Sequence, residues 1–220
     1  MPMIRSVAAA ILVAGLLSMS PAAARKRMHQ EFFGTLVGTN AVSTDRIEAH
    51  GELRACALGF LVVLRGAPRH GGFIRVLGSI GMIKTEREGA SVIAPYLKLV
   101  VHDIDATTLT LTPRRPLSGS FAVGGISNAP TVVTHFEPPE SPGSAFIVFS
   151  LNPSSTIVAN ALATRMINVE FRRANGEPDI RVDIDLTVAE TGVDGVRVHS
   201  PKAVEDMQGC LASLLGFDLQ

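Results

Sequence analysis

A chain of 220 residues with a formal net charge of +0 lacks the concentrated basic face that a run of phosphates demands, which argues against nucleic acid as a partner. With 46% hydrophobic and 18% charged residues it is more apolar than an average soluble domain, yet beyond its first residues no stretch is as long as the roughly 18 apolar residues of a membrane span. The length suits one all-β domain.

Residues 1–24 read as a secretory signal peptide. Arg5 gives a positive start, 7–17 an apolar core too short to span a bilayer, and Ser20-Pro21-Ala22-Ala23-Ala24 a small-x-small cleavage pattern. Arg25-Lys26-Arg27 follows the cut directly, a basic cluster that export does not favour. Loss of 1–24 removes one base, Arg5, and leaves the remainder one acid ahead. The expected mature protein is exported, periplasmic or extracellular, with a single β-rich domain over 25–220.

Taken in order, 31–40 reads as a first strand ending at Asn40, followed by a polar connector to Gly51. The run 53–64, uncharged after Arg54, suits a strand covered on both faces. Val62, Val63 and the break at Gly66-Ala67-Pro68 favour strand over helix. It pairs as a hairpin with 73–84, and 85–89 is a charged turn. Across 91–105 alternation puts Ile93, Leu97, Leu99 and Val101 on one face and Tyr96, Lys98 and His102 on the other. Residues 107–112 alternate Thr with Leu, so Leu109 and Leu111 are expected inside. Short strands follow at 120–123, 131–137 and 145–151, separated by a loop at 124–130 and a Pro-rich turn at 138–144. This spacing describes an antiparallel β-sandwich, with a closed β-barrel as the alternative.

Asn175-Gly176 is the preferred pair for a type I′ turn and lies between alternating runs at 164–173 and 179–188. A two-residue loop sets Phe171 opposite Ile180, Val169 opposite Val182 and Ile167 opposite Ile184. The other face then pairs Arg172 with Asp179, Glu170 with Arg181 and Asn168 with Asp183. The chain closes with the one predicted α-helix, 200–215. Ser200 is its N-cap, Pro201 its first residue and Gly216 its left-handed stop. Val204, Met207, Cys210, Leu211, Leu214 and Leu215 form its apolar stripe. Cys210 therefore faces inward, and in an exported chain with 2 cysteines a Cys56–Cys210 disulfide is the economical pairing.

Candidate chemistry is sparse. The histidines, His29, His50, His70, His102, His135 and His199, are scattered. His135-Phe136-Glu137 matches the H-x-E half of a zinc deaminase site without its P-C-x-x-C half. Asp103-Ile104-Asp105 and Asp183-Ile184-Asp185 each put two carboxylates on one strand face, short of the six or so oxygens that Ca²⁺ takes. Ser127, in Gly125-Ile126-Ser127-Asn128-Ala129, approaches a nucleophile elbow, but Pro130 and a strand follow where a helix should. No catalytic, cofactor-binding or metal residue is assigned and no cofactor is implied. With no Trp and a single Tyr, Tyr96, a stacked-aromatic sugar site is poorly supplied, while the 10 Phe residues suit a core. The expected function is a non-catalytic binding or scaffolding module of the cell envelope, its partner another envelope protein. Alternatives are a carrier holding an apolar small molecule in a barrel, and a hydrolase without a recognisable motif.

Overall fold

The apolar run at 53–64 lies inside a strand that is hydrogen-bonded to a neighbour on each side. We describe residues 21–66, 72–87, 89–124 and 130–217 of a computed structural model. Helix α1 (Pro21–Thr35) leads into β1 (Gly38–Ala49), β2 (Glu52–Arg65), β3 (Phe73–Arg87) and β4 (Ala90–Ile104). Then come β5 (Leu111–Pro113), β6 (Ser118–Ala122), β7 (Val132–Phe136), β8 (Ser144–Phe149) and α2 (Leu151–Thr164). The chain ends through β9 (Met166–Arg172), β10 (Ile180–Asp185), β11 (Val188–Thr191), β12 (Arg197–His199) and α3 (Lys202–Leu214).

Seven strands form one sheet in the order β1-β2-β3-β4-β8-β7, with β5 also on β4, and a second sheet runs β10-β9-β6. Neither sheet closes on itself, which corrects the barrel alternative: the architecture is that of an antiparallel β-sandwich. Leu58, Phe60, Leu97 and Ile147 of the large sheet meet Phe121, Val169 and Ile184 of the small one in a single apolar cluster. The sheets approach where β6 has no side chain. A Cβ on Gly119 would stand 2.9 Å from Ile147 Cδ1 and 3.1 Å from Leu99 Cδ1.

The predicted hairpin register is realised pair for pair, from Ile180 opposite Phe171 to Ile184 opposite Ile167. Arg172 and Asp179 form an ion pair at 2.7 Å, while Arg181, opposite Glu170, reaches Asp183 at 3.8 Å. The turn is closed by the Glu177 N–H donating to Ala174 O at 3.2 Å, but it is not type I′. Gly176 has φ +81° and Asn175 keeps negative φ.

Helix α3 buries Val204, Met207, Cys210 and Leu214 and ends as expected, with Gly216 at φ +77° and the Phe217 N–H donating to Ala212 O. Its start is one residue later than predicted, because Pro201 occupies the cap, while Ser200 Oγ accepts the Lys202 N–H at 3.2 Å. The Cys56–Cys210 disulfide joins α3 to β2.

Four further expectations are corrected. The first half of the segment 31–40 is helix rather than strand: α1 runs to Thr35 and β1 begins only at Gly38, while Phe33, Leu36 and Val37, at spacings of three and four, pack on Val63, Phe73 and Ile104. The polar connector is β1 itself, an edge strand exposed over most of its second half, where apolar alternation is not required. The expected turn at 85–89 is shorter: residues 85–87 continue β3, which pairs with β4 as far as Arg87 with Ala90. Leu109 and Leu111 are exposed: Asp105 accepts the Thr107 N–H at 2.6 Å and the Thr108 N–H at 3.3 Å and turns the chain, and the strand that follows, β5, begins only at Leu111 and is exposed throughout.

The single predicted helix is likewise one of three among the described residues. Ile157, Val158, Ala161 and Leu162 are the buried stripe of α2, in a tract that had no assignment.

Candidate functional site

Strand alternation gives the large sheet a second face. In β2 the even residues Cys56, Leu58, Phe60 and Val62 enter the main core, so Ala55, Ala57, Gly59 and Leu61 point the other way. Register carries that outer face across the sheet. Leu61, Leu77 and Val100 make one row; Gly59, Ser79, Lys98, Phe146 and Phe136 make the next; Ala57, Gly81, Tyr96 and Val148 make a third. An outward face of a sandwich is ordinarily polar. Here it is largely apolar, and α1 covers only the end marked by Val63 and Phe73.

The centre of the face is aromatic. Tyr96 stacks on Phe146 with ring centroids 4.9 Å apart, and Phe146 meets Phe136 at 5.2 Å. Tyr96 is buried, packed with Ala55 and Ala57, while Phe146 is half-buried and Phe136 is 44% exposed. Small residues keep this surface low: a Cβ on Gly81 would collide with the backbone of Cys56 and Ala57. Asp45 lies over Gly59, where a Cβ would stand 3.1 Å from its carboxylate. Among the described residues neither Asp45 nor Lys98 forms an ion pair.

Burial raises the Tyr96 pKa, a hydrogen bond with Ser79 pulls it back in part, and nearby Asp45 raises it. The phenol therefore keeps its proton at neutral pH.

The residues singled out in the sequence are dispersed. His135 sits on β7 opposite Ile147, and partial burial followed by the Arg115 charge lowers its pKa. Glu137 pairs with Arg115 at 2.9 Å and accepts the Gly143 N–H, so the H-x-E carboxylate is engaged. Asp103 holds Arg114 at 2.8 Å and Arg173 at 2.6 Å. Asp183 accepts from Asn168, and Asp185 accepts from the Thr187 N–H and hydroxyl at 2.9 and 2.7 Å. Each D-I-D pair thus has protein donors on both carboxylates. Ser127 and His70 lie outside the described residues.

Cys210, at 1% exposure, borders a surface cleft of about 390 Å³ with Thr44, Arg46 and Glu205. Sequence reasoning did group Tyr96 with Lys98 and His102, but it missed Ser79, Asp45 and the two phenylalanines. Those residues join the face only through strand pairing, although the small odd-numbered residues Ala55, Ala57 and Gly59 of β2 carried a signal of close packing. Comparison of the chain with protein-family models, with curated proteins and with solved structures found no match.

Proposed function

We propose that the protein is an exported, non-catalytic module of the cell envelope that binds another envelope protein with the outer face of its large sheet. One observation carries the reading. Tyr96, Phe146 and Phe136 stack on the side of the sheet away from the core, beside half-buried Leu61, Leu77 and Val100. An apolar face flanked by unpaired Asp45 and Lys98 has the makeup of a protein interface, in which aromatic anchors supply affinity and charges at the margin set orientation. The disulfide supports an oxidising compartment, in agreement with the signal-like start of the chain.

Complementation of a deletion strain tests the absence of catalysis. The single changes Ser127→Ala, His135→Ala, Asp183→Ala and Asp185→Ala should each restore the envelope phenotype in full. Loss of the phenotype in any one of them, with export level and melting temperature unchanged, would replace this reading with a catalytic or metal site.

A further inference from the structure

The basic triplet Arg25-Lys26-Arg27 is explained neither by export nor by helix physics. It occupies the early part of α1, which has no acidic residue in its first turn, and cations at a helix N-terminus oppose the macrodipole. Arg27 is paired with Glu31 at 2.9 Å; among the described residues Arg25 and Lys26 have no ion pair. One side of the helix docks on the body through Phe33, whose ring lies 5.3 Å from Phe73, and through a 2.9 Å hydrogen bond between His29 Nδ1 and Ala106 O. Beside that docked side, Arg25, Met28, Phe32 and Thr35 follow one another at steps of three and four and share a stripe. Met28 is 59% exposed and Phe32 42%.

The stripe continues onto a second element. The tip of the β11–β12 hairpin abuts Thr35, since a Cβ on Gly195 would stand 2.9 Å from Thr35 Cβ and 2.7 Å from its carbonyl oxygen. On that tip Val193 is 82% exposed and Val196 63%. The intervening Asp194 turns its carboxylate back to accept the Val196 N–H at 3.1 Å. Arg197, beyond it, is anchored on the carbonyls of Thr39 and Val37 at 2.8 and 2.6 Å, which fixes the hairpin to β1. Two elements in contact therefore present four large apolar side chains to solvent, with free cations at one end.

We propose that this patch seats the protein on an anionic lipid surface, with Met28, Phe32, Val193 and Val196 entering the headgroup boundary and Arg25 and Lys26 facing lipid phosphate. Amphipathic helices bind membranes through this pairing of exposed apolar side chains with basic ones. A protein partner would require no anionic lipid, and that difference decides between them. The signal-processed protein is incubated with vesicles of phosphatidylcholine alone and of equal parts phosphatidylcholine and phosphatidylglycerol, then floated on a density gradient. The expected result is flotation with the anionic vesicles only, weakened by high salt. Arg25→Gln and Lys26→Gln should each reduce the partition coefficient about fivefold. Phe32→Ser with Val193→Ser should abolish flotation at an unchanged melting temperature, while Leu117→Ser, an exposed leucine on the other sheet, should leave it intact. Protein that stays in solution with both vesicle types would overturn the proposal, as would equal flotation with neutral vesicles or full flotation of the Phe32→Ser, Val193→Ser variant.

Discussion

Cys56, near the start of β2, is bonded to Cys210 of the last helix, across a sequence separation of 154 residues. Both are among the most buried residues of the main cluster, and the bond ties an edge-covering helix to the sheet at its least accessible point. Closing a loop of that length removes unfolded-state entropy worth about 5 kcal/mol in the chain-entropy model. Replacement of both cysteines by Ala should therefore lower the unfolding free energy by several kcal/mol, measured by urea denaturation. Non-reducing peptide mapping of exported protein should show the Cys56 and Cys210 peptides linked. Two alkylatable thiols, or a melting temperature indifferent to reductant, would contradict the structure.

The β9–β10 hairpin makes a contrast within one strand. Phe171 is 1% exposed and faces Ile180, while Arg172, its neighbour, lies in solvent paired with Asp179. Phe171→Ala leaves a cavity and should cost about 3–5 kcal/mol. Arg172→Ala should leave the denaturation midpoint nearly unchanged, because an exposed ion pair is screened by water. Comparable losses from both substitutions would mean that the register is wrong.

That hairpin was legible because its register depends on one turn and on period-2 alternation, both local. Helix α3 was legible for the same reason, its cap, stripe and glycine stop falling within twenty or so residues. The errors lie where distant contacts decide. Phe33, Leu36 and Val37 are strong strand formers by composition, yet packing against Val63, Phe73 and Ile104 makes their segment helical or its exit. The residues of β1 look like a connector because an edge strand can leave one side and half its length in water. The outer face was invisible for a deeper reason: Tyr96, Phe146 and Phe136 come from three strands, and only the pairing of β4 with β8 and β8 with β7 makes them neighbours.

Gly119 shows how little room the sandwich has. Its missing side chain is replaced by the methyl groups of Ile147, Leu99 and Leu97, the last with a carbon 3.2 Å from where a Cβ would be. Gly119→Val should push the sheets apart or force those side chains off their rotamers, at a cost of about 1–3 kcal/mol. Calorimetry on this variant should show a lower melting temperature with the disulfide intact. An unchanged melting temperature would show that the sheets are not in contact at β6.

His102 gives the pH dependence a sign. Partial burial, then the neighbouring Arg75 charge, lowers its pKa below the usual 6.5, and among the described residues its Nδ1 has no hydrogen-bond partner. A lowered histidine pKa means that the unfolded chain binds the proton more readily than the folded one. Stability from this group is full above the unfolded pKa and declines as pH falls through about 6.5 toward the folded value. His135, shifted in the same direction, adds to the decline. Urea midpoints should fall between about pH 7.5 and pH 5, and His102→Gln should flatten that slope. A midpoint that rises on acidification in this window would reverse the assigned sign.

The outer face supplies the decisive functional prediction. Phe136 is 44% exposed at the rim of the aromatic stack, so Phe136→Ser removes contact area without opening the core. Lys98, opposite both Ser79 and Phe146, has no ion pair to lose among the described residues, so Lys98→Glu changes the face's charge with little effect on folding. If an envelope protein docks here, each change should weaken the interaction about tenfold or more, since anchors at an interface commonly carry 1–3 kcal/mol. Complementation should fail or fall sharply while export level, disulfide content and melting temperature stay at the wild-type value. The same two variants should float with anionic vesicles as the parent does, because neither residue belongs to the α1 and hairpin-tip patch. Full complementation by both would remove the sheet face as the binding surface, since no surface that depends on its exposed aromatic could tolerate a serine and a reversed charge together.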